Sequence, residues 1–351
     1  VTSFWTQKLY KENKNYLVIG GDIITDVREP IVENDNILLP LDGIKKYLDP
    51  NVYWDKNLGK AVFTTKDKLI TMKTNKLTAM VNQKPIDLNI PVRVIDDMPY
   101  IPIEFLQEIL NINLQLFSER IVVIDSMKEP IIIGELITQR GIKRDKTIFS
   151  PYVKKKLEIG DKVRIFEQDD KWCKVRTEDG IIGYIEYKHL KIIEGKRPEP
   201  LPQEPSIEPF KPQKGKINMV WEHVVKKNPD ISKLKKVEGL DIVSPTWFAV
   251  TDGEGNLANK GDIDYVNWAH MNGYQVWGLA TNDFNPDNTH LFLNNTDTRE
   301  KIITQLLVYA KLYKLDGINI DFENIYIKDR EMLTQFMREL YPLSREQGLT
   351  L

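Results

Sequence analysis

Leu315-Asp316-Gly317-Ile318-Asn319-Ile320-Asp321-Phe322-Glu323 alternates apolar and polar residues from Gly317 onward. Side chains alternate across a strand, so Asn319, Asp321 and Glu323 share one face while Ile318, Ile320 and Phe322 share the other. Two carboxylates and an amide buried on one strand face cost several kcal/mol without partners, so the row must serve something. In a parallel α/β barrel it would point inward near the C-terminal ends of the strands, where active sites of that fold lie, with the apolar trio against the helices. A carboxyl group placed there suits general acid work.

Outward from that stretch, strands are expected at 217–224, 240–250, 274–281 and 315–322, and helices at 262–271, 298–313 and 330–347. The alternation predicts βα units around a parallel sheet. A complete eightfold barrel takes about 250 residues, so only about its first four βα units fit, with Gly348-Leu349-Thr350-Leu351 entering a fifth strand. Trp247, Trp277 and Asn282 fall where the second and third strands finish. They are candidate substrate-binding residues because strand ends of this kind line the site of a barrel, although core or barrel wall is the competing reading for the two tryptophans. His223 and His270 lack ligand-spaced partners, and no metal site or cofactor is expected.

The stretch ending Asp316-Gly317-Ile318-Asn319-Ile320-Asp321-Phe322-Glu323 resembles the Asp-x-x-Asp-x-Asp-x-Glu motif of family 18 glycoside hydrolases, the chitinases and N-acetylglucosaminidases. It most resembles their spore germination and cortex-lytic (YaaH-like) branch. The resemblance covers 217–351 and departs from the motif at Asn319, where most members carry aspartate. It implies Glu323 as general acid/base, Asp321 as the residue that orients and charges the substrate acetamide, Asn319 as a supporting hydrogen-bond partner, and Asp316 as structural. It further implies a retaining, substrate-assisted cleavage of β-1,4 bonds next to N-acetylglucosamine in peptidoglycan or spore cortex, with the acetamide as nucleophile. The competing function is a non-catalytic wall- or carbohydrate-binding protein with a degenerate chitinase-like barrel. Such branches usually lose the terminal glutamate, and Glu323 is present.

Upstream, 195–216 carries Pro198, Pro200, Pro202, Pro205, Pro209 and Pro212 among charged residues and is expected to be an extended linker. Residues 16–126 hold a degenerate repeat. Pro30-Ile31-Val32 leads to Ile37-Leu38-Leu39-Pro40-Leu41, and Pro91-Val92-Arg93-Val94 leads to Tyr100-Ile101-Pro102-Ile103. Each copy continues into a short helix and returns to strands, which predicts an α+β repeat domain. The pattern resembles the copper amine oxidase N-terminal-like domain. It is not expected to hold copper, because His189 is the first histidine and Cys173 the only cysteine. Residues 131–193, with turns at Gly160-Asp161 and Asp179-Gly180 and aromatics at Trp172 and Tyr184, resemble a bacterial SH3-type domain, a small β-barrel. These three segments are expected to form separate cores.

Lys and Arg (49) nearly balance Asp and Glu (51), which leaves no basic field for nucleic acid. A single cysteine excludes an intrachain disulfide. The expected partner is an N-acetylglucosamine-containing polysaccharide, reached at a bacterial wall surface through the N-terminal modules. An extracellular or wall-associated location is expected, with an export or anchor segment upstream of Val1. Cut within the barrel, the chain by itself is expected to be inactive.

Overall fold

A computed structural model describes residues 14–193 and 215–351. The proline-rich stretch expected to act as a linker lies outside the described residues but for its last two positions. The chain divides into two compact units. The first holds the described parts of Val1–Val52, Thr74–Thr78 and Asp87–Gln203, and the second those of Tyr53–Lys73, Ala79–Ile86 and Glu204–Leu351.

In the first unit the repeat becomes a four-stranded antiparallel sheet. Hairpin Ile31–Glu33/Asn36–Pro40 and hairpin Arg93–Ile95/Met98–Pro102 pair through their inner strands, Leu39 opposite Ile101 and Pro40 opposite Tyr100. Both hairpins turn on two left-handed residues, Asn34-Asp35 and Asp96-Asp97. Such pairs match the twist of the flanking strands, and Asn and Asp tolerate that conformation better than most side chains. Helix Leu41–Tyr47 follows one copy, and the short helical turns Glu104–Leu106 and Gln107–Leu110 follow the other. A second four-stranded sheet sets Tyr16–Ile19 between Asp22–Ile24 and Ile121–Ser126, with Ile112–Phe117 on the far edge.

Residues 132–193 of this unit form a seven-stranded antiparallel sheet over Leu136, Ile142, Val163, Cys173, Val175 and Ile185. Trp172 is buried and Tyr184 half-buried. That core is made of this region's own residues, as expected, and a second, smaller cluster joins the region to the N-terminal sheet. Ile182 packs with Val18, Ile121 and Val123, and Lys174 pairs with Asp22 at 2.6 Å. Gly20, at φ +57°, turns the chain there, and a Cβ on Gly21 would sit 2.6 Å from Cγ of the Phe166 ring. Gly21→Ala is therefore expected to lower stability by roughly 1–3 kcal/mol through overpacking. Urea unfolding checks this, and the double variant with Phe166→Leu should recover part of the loss.

The second unit contains four parallel strands in spatial order Met219–Glu222, Ile242–Pro245, Gln275–Thr281 and Gly317–Asp321. Thr350 bridges in parallel to Gly317 on the far side of the fourth. Helices Ile263–Met271, Thr296–Tyr313 and Arg330–Glu346 occupy the predicted intervals, capped by Asp262 and Asn295 in the first two cases. Two details differ from the sequence reading. The second strand breaks after Pro245, which has no N–H to donate, and resumes as hairpin Phe248–Val250/Leu257–Asn259 beside the end of the third. An additional helix, Pro286–Leu293, follows the third strand, with Asn285 as N-cap and Pro286 at its start.

The same unit includes the antiparallel meander Tyr53–Asp55, Lys60–Thr64, Leu69–Lys73, Thr78–Val81 and Lys84–Asp87. Val62 and Leu69 join Ile303, Leu343 and the sheet residues Val243 and Val276 in one core. Asp55 accepts from the Thr296 hydroxyl at 2.7 Å and its backbone N–H at 3.1 Å. The middle of the N-terminal repeat region thus shares its core with the βα segment, where separate cores were expected. Among the described residues, no helix is long and apolar enough to cross a membrane.

Candidate functional site

The fourth strand alternates as its composition dictates. Ile318 is buried, and Ile320 and Phe322 pack against the main core, the Phe322 ring lying 5.7 Å from Phe292 and 5.4 Å from Phe336. Asn319 and Asp321 lie on the opposite face and are half-buried. Parallel register places Leu279 beside Asn319 and Thr281 beside Asp321. Trp277 stands beside Gly317, where a Cβ would come within 2.9 Å of its ring. Glycine at 317 leaves the space that the indole fills.

Glu323 lies past the strand end and is exposed, in contrast to the buried row expected. Its backbone is fixed by Asn282, which is 0% exposed. The Glu323 N–H donates to Asn282 Oδ1 at 3.0 Å, and Asn282 Nδ2 donates to the Glu323 carbonyl at 2.7 Å and to Thr289 Oγ1 at 2.8 Å. Every polar atom of that amide is occupied, so Asn282 is a positioning residue rather than the sugar ligand expected. If the strand end is a catalytic site, Asn282→Ala in a version extended to a complete barrel should lower kcat about 10²-fold, since displacements near 1 Å are of that consequence. The pH profile should keep its shape, unlike that of a Glu323 variant, and a steady-state pH series reads the difference.

Strain surrounds this point. Asp283 and Phe284 after the third strand and Asn324 after the fourth all have φ near +50°. A phenylalanine in that region costs of order 1–3 kcal/mol. The loops are stitched together by Asn324 Nδ2 donating to the Phe284 carbonyl at 3.0 Å, leaving the Phe284 ring half exposed. Tyr326 donates its hydroxyl to Asp287 at 2.9 Å, and that carboxylate holds the phenol above its usual range. Phe284 and Tyr326 escaped the sequence reading, because a left-handed phenylalanine matches no turn signature.

Among the described residues, neither the Asp321 nor the Glu323 carboxylate has a hydrogen-bond or ion-pair partner. Asn319 donates from Nδ2 to Ser244 Oγ at 3.1 Å, and the Ser244 hydroxyl donates to the Trp277 carbonyl at 2.9 Å. The supporting bond expected of Asn319 runs to Ser244, another residue that sequence reasoning missed. Asp316 accepts from the Val276 N–H and lies 2.8 Å from His270 Nε2, a structural tie between strand and helix. Trp247 is 1% exposed, donates to Asn228 Oδ1 at 2.6 Å and meets Tyr265 edge-on at 5.7 Å. Its faces belong to the core, which removes it from the substrate-binding set. Trp277 keeps a half-buried ring on the face of Asn319 and Asp321. Among the described residues, no group of three His, Cys, Asp or Glu is arranged to hold a metal ion.

Residues 18–124 match the family model of the copper amine oxidase N-terminal domain. No curated protein matches the chain in sequence. Solved structures that overlap it include a chitinase from Bacteroides thetaiotaomicron, at 22% identity over 38% of this chain and 45% of that one, with a TM-score of 0.32. The spore cortex-lytic enzyme SleL of Bacillus megaterium QM B1551 overlaps at 17% identity over 56% and 49%, with a TM-score of 0.35. SleL of Bacillus cereus overlaps at 20% identity over 45% and 36%, with a TM-score of 0.32. The chain spans less than half the length of each of these three chains.

Proposed function

We propose that this chain carries the front half of a family 18 type glycosidase barrel, acting on β-1,4 bonds next to N-acetylglucosamine in a bacterial wall polymer. The observation that carries the reading is the end of the fourth parallel strand. There two carboxylates, two residues apart in the chain, stand without protein partners among the described residues while Asn282 fixes the backbone of the second. In that role Glu323 protonates the glycosidic oxygen, the substrate acetamide oxygen attacks the anomeric carbon, and Asp321 stabilises the positive charge that develops on the acetamide. Water then opens the cyclic intermediate, and Glu323 takes its proton back. The hairpin-repeat region at 16–126 and the seven-stranded region at 131–193, read as an SH3-type module, serve as wall-associated modules in an extracellular setting.

The test is turnover of purified peptidoglycan and of chitin oligomers, with product mass analysis, by this chain and by a version extended beyond Leu351 to a complete barrel. Products ending in N-acetylglucosamine from the extended version support the reading. No cleavage of either polymer by it, with the polymers still bound, would leave a carbohydrate-binding protein instead.

A further inference from the structure

The seven-stranded sheet ends at strand Leu190–Ile193, which among the described residues pairs with Ile132–Leu136 alone. The turn that leads into it, Tyr187–His189, places His189 at the joint, 8% exposed. The His189 carbonyl accepts from the Ile137 N–H at 3.0 Å, which ties the joint to the chain leaving Ile132–Leu136. Whatever holds the ring therefore helps to hold the edge strand.

Both ring nitrogens are occupied. Arg140 donates its Nε–H to Nε2 at 3.0 Å, and Nδ1 lies 2.7 Å from Thr138 Oγ1. Arginine only donates, so Nε2 is the acceptor and the single proton of a neutral imidazole sits on Nδ1. A competitor stands beside this bond, because Glu186 Oε2 lies 3.3 Å from the same Nε2 and can accept only when that nitrogen carries a proton. One nitrogen thus faces two partners that demand opposite protonation states.

The charged groups around the ring are Arg140 from strand Arg140–Lys143, Glu186 from the end of strand Ile182–Glu186, and Lys188 in the turn itself. The chain beyond Ile132–Leu136 contributes Thr138, which is neutral. Burial first, then the Arg140 charge, holds His189 below its ordinary value against the pull of Glu186. Burial also raises Glu186, but the bonds from Lys188 and His189 outweigh it, so that carboxyl sits below its usual range and stays an anion in mild acid. A folded value below the unfolded one of about 6.5 means that the unfolded chain takes the proton first. The contribution of His189 to stability is therefore complete above about pH 6.5 and is lost as pH falls below it. Arg140 is an exposed residue and can leave for water without crossing a core.

We propose that His189 is a proton-operated switch at the edge of this sheet. Uncharged, the ring accepts Arg140 and pins the joint of Leu190–Ile193. Protonated at Nε2 from solvent, it turns to Glu186, releases Arg140 and loosens that strand while the core strands stay paired. Neither Glu323 nor any substrate takes part, so the switch does not depend on the glycosidase reading.

Hydrogen exchange of the full chain, corrected for intrinsic rates, tests this at about pH 5 and about pH 7.5. Protection of the hydrogen-bonded amides of Leu190–Ile193 should fall at least about threefold from the higher to the lower pH, while that of Trp172–Thr177 holds. His189→Gln keeps an acceptor for Arg140 but takes no proton in this range, and should abolish the difference. Because that variant changes a buried residue, Arg140→Gln is the second arm: it starts from an exposed side chain, removes the cation that opposes protonation and should move the NMR titration midpoint of the His189 ring upward. The proposal is overturned by equal protection of Leu190–Ile193 at both pH values, by an equal loss across Trp172–Thr177, by a difference that survives in His189→Gln, or by an unmoved titration in Arg140→Gln.

Discussion

On the proposed reading, Glu323→Gln in the extended version is expected to lower kcat on an N-acetylglucosamine oligomer by about 10²- to 10⁴-fold with little change in KM, because the amide keeps the shape of the side chain and removes the proton it would deliver. Asp321→Asn is comparably severe, since a neutral amide cannot stabilise the charge that builds on the cyclising acetamide. Asn319→Ala costs no more than about tenfold, the worth of one hydrogen bond, and that bond runs to Ser244 rather than to the reacting groups. With the acetamide as nucleophile, the first-formed product retains its anomeric configuration and de-N-acetylated oligomers resist cleavage. An NMR time course of early products with the extended version checks all of these together. Inversion, or equal cleavage of the deacetylated oligomer, removes Asp321 from its assigned role.

The parts of the molecule legible in the sequence are those written in a short period. Alternation along 317–322 alone places Asn319 and Asp321 opposite Ile318 and Ile320, because a strand admits only two faces. The repeat was legible for a similar reason: Asn34-Asp35 and Asp96-Asp97 occupy equivalent places, as do Pro40 and Pro102, and the copies pair with each other across Leu39 and Ile101. Helix Pro286–Leu293 had its signal in Asn285-Pro286, and the break in the second strand had its own in Pro245. Direction was not legible. A polar residue at a strand end, such as Asn282, can face a ligand or clamp a neighbouring loop, and only the bonds to Glu323 decide which. Nor could any local pattern show that Asp55 reaches Thr296, since that contact joins segments 241 positions apart in the chain.

That long-range contact belongs to the network whose loss should destabilise the protein most. Arg299 is fully buried and gives Nε and Nη2 to the Glu339 carboxylate at 2.9 and 2.7 Å, and Nη1 to the Leu293 carbonyl at 2.7 Å. Its guanidinium lies 4.8 Å from the centre of the Tyr53 ring, and Gln335 supplies another donor to Glu339 at 2.9 Å. Burial alone would pull Arg299 down, but the bonds to Glu339 outweigh it and the guanidinium sits above its ordinary range. Removing one partner strands the other charge in the core, so Arg299→Ala should lose about 3–5 kcal/mol in urea unfolding. Replacing both, as Arg299→Met with Glu339→Leu, should recover much of that, because no charge is then left unpaired. Asp55, beside Thr296, adds a pH dependence of known sign. Burial raises its pKa, the bonds from Thr296 and from the Leu58 and Asn57 amides lower it further than burial raises it, and the net shift is downward. A depressed folded value means a contribution fully present above the unfolded pKa of about 3.9 and lost as pH falls through the folded value. Asp55→Asn should therefore flatten the acid limb of the stability curve below about pH 4. An unchanged limb, or an Arg299→Ala variant as stable as its parent, would show that the meander and the helices Thr296–Tyr313 and Arg330–Glu346 are held by apolar contacts such as Val62 and Leu69 without help from this network.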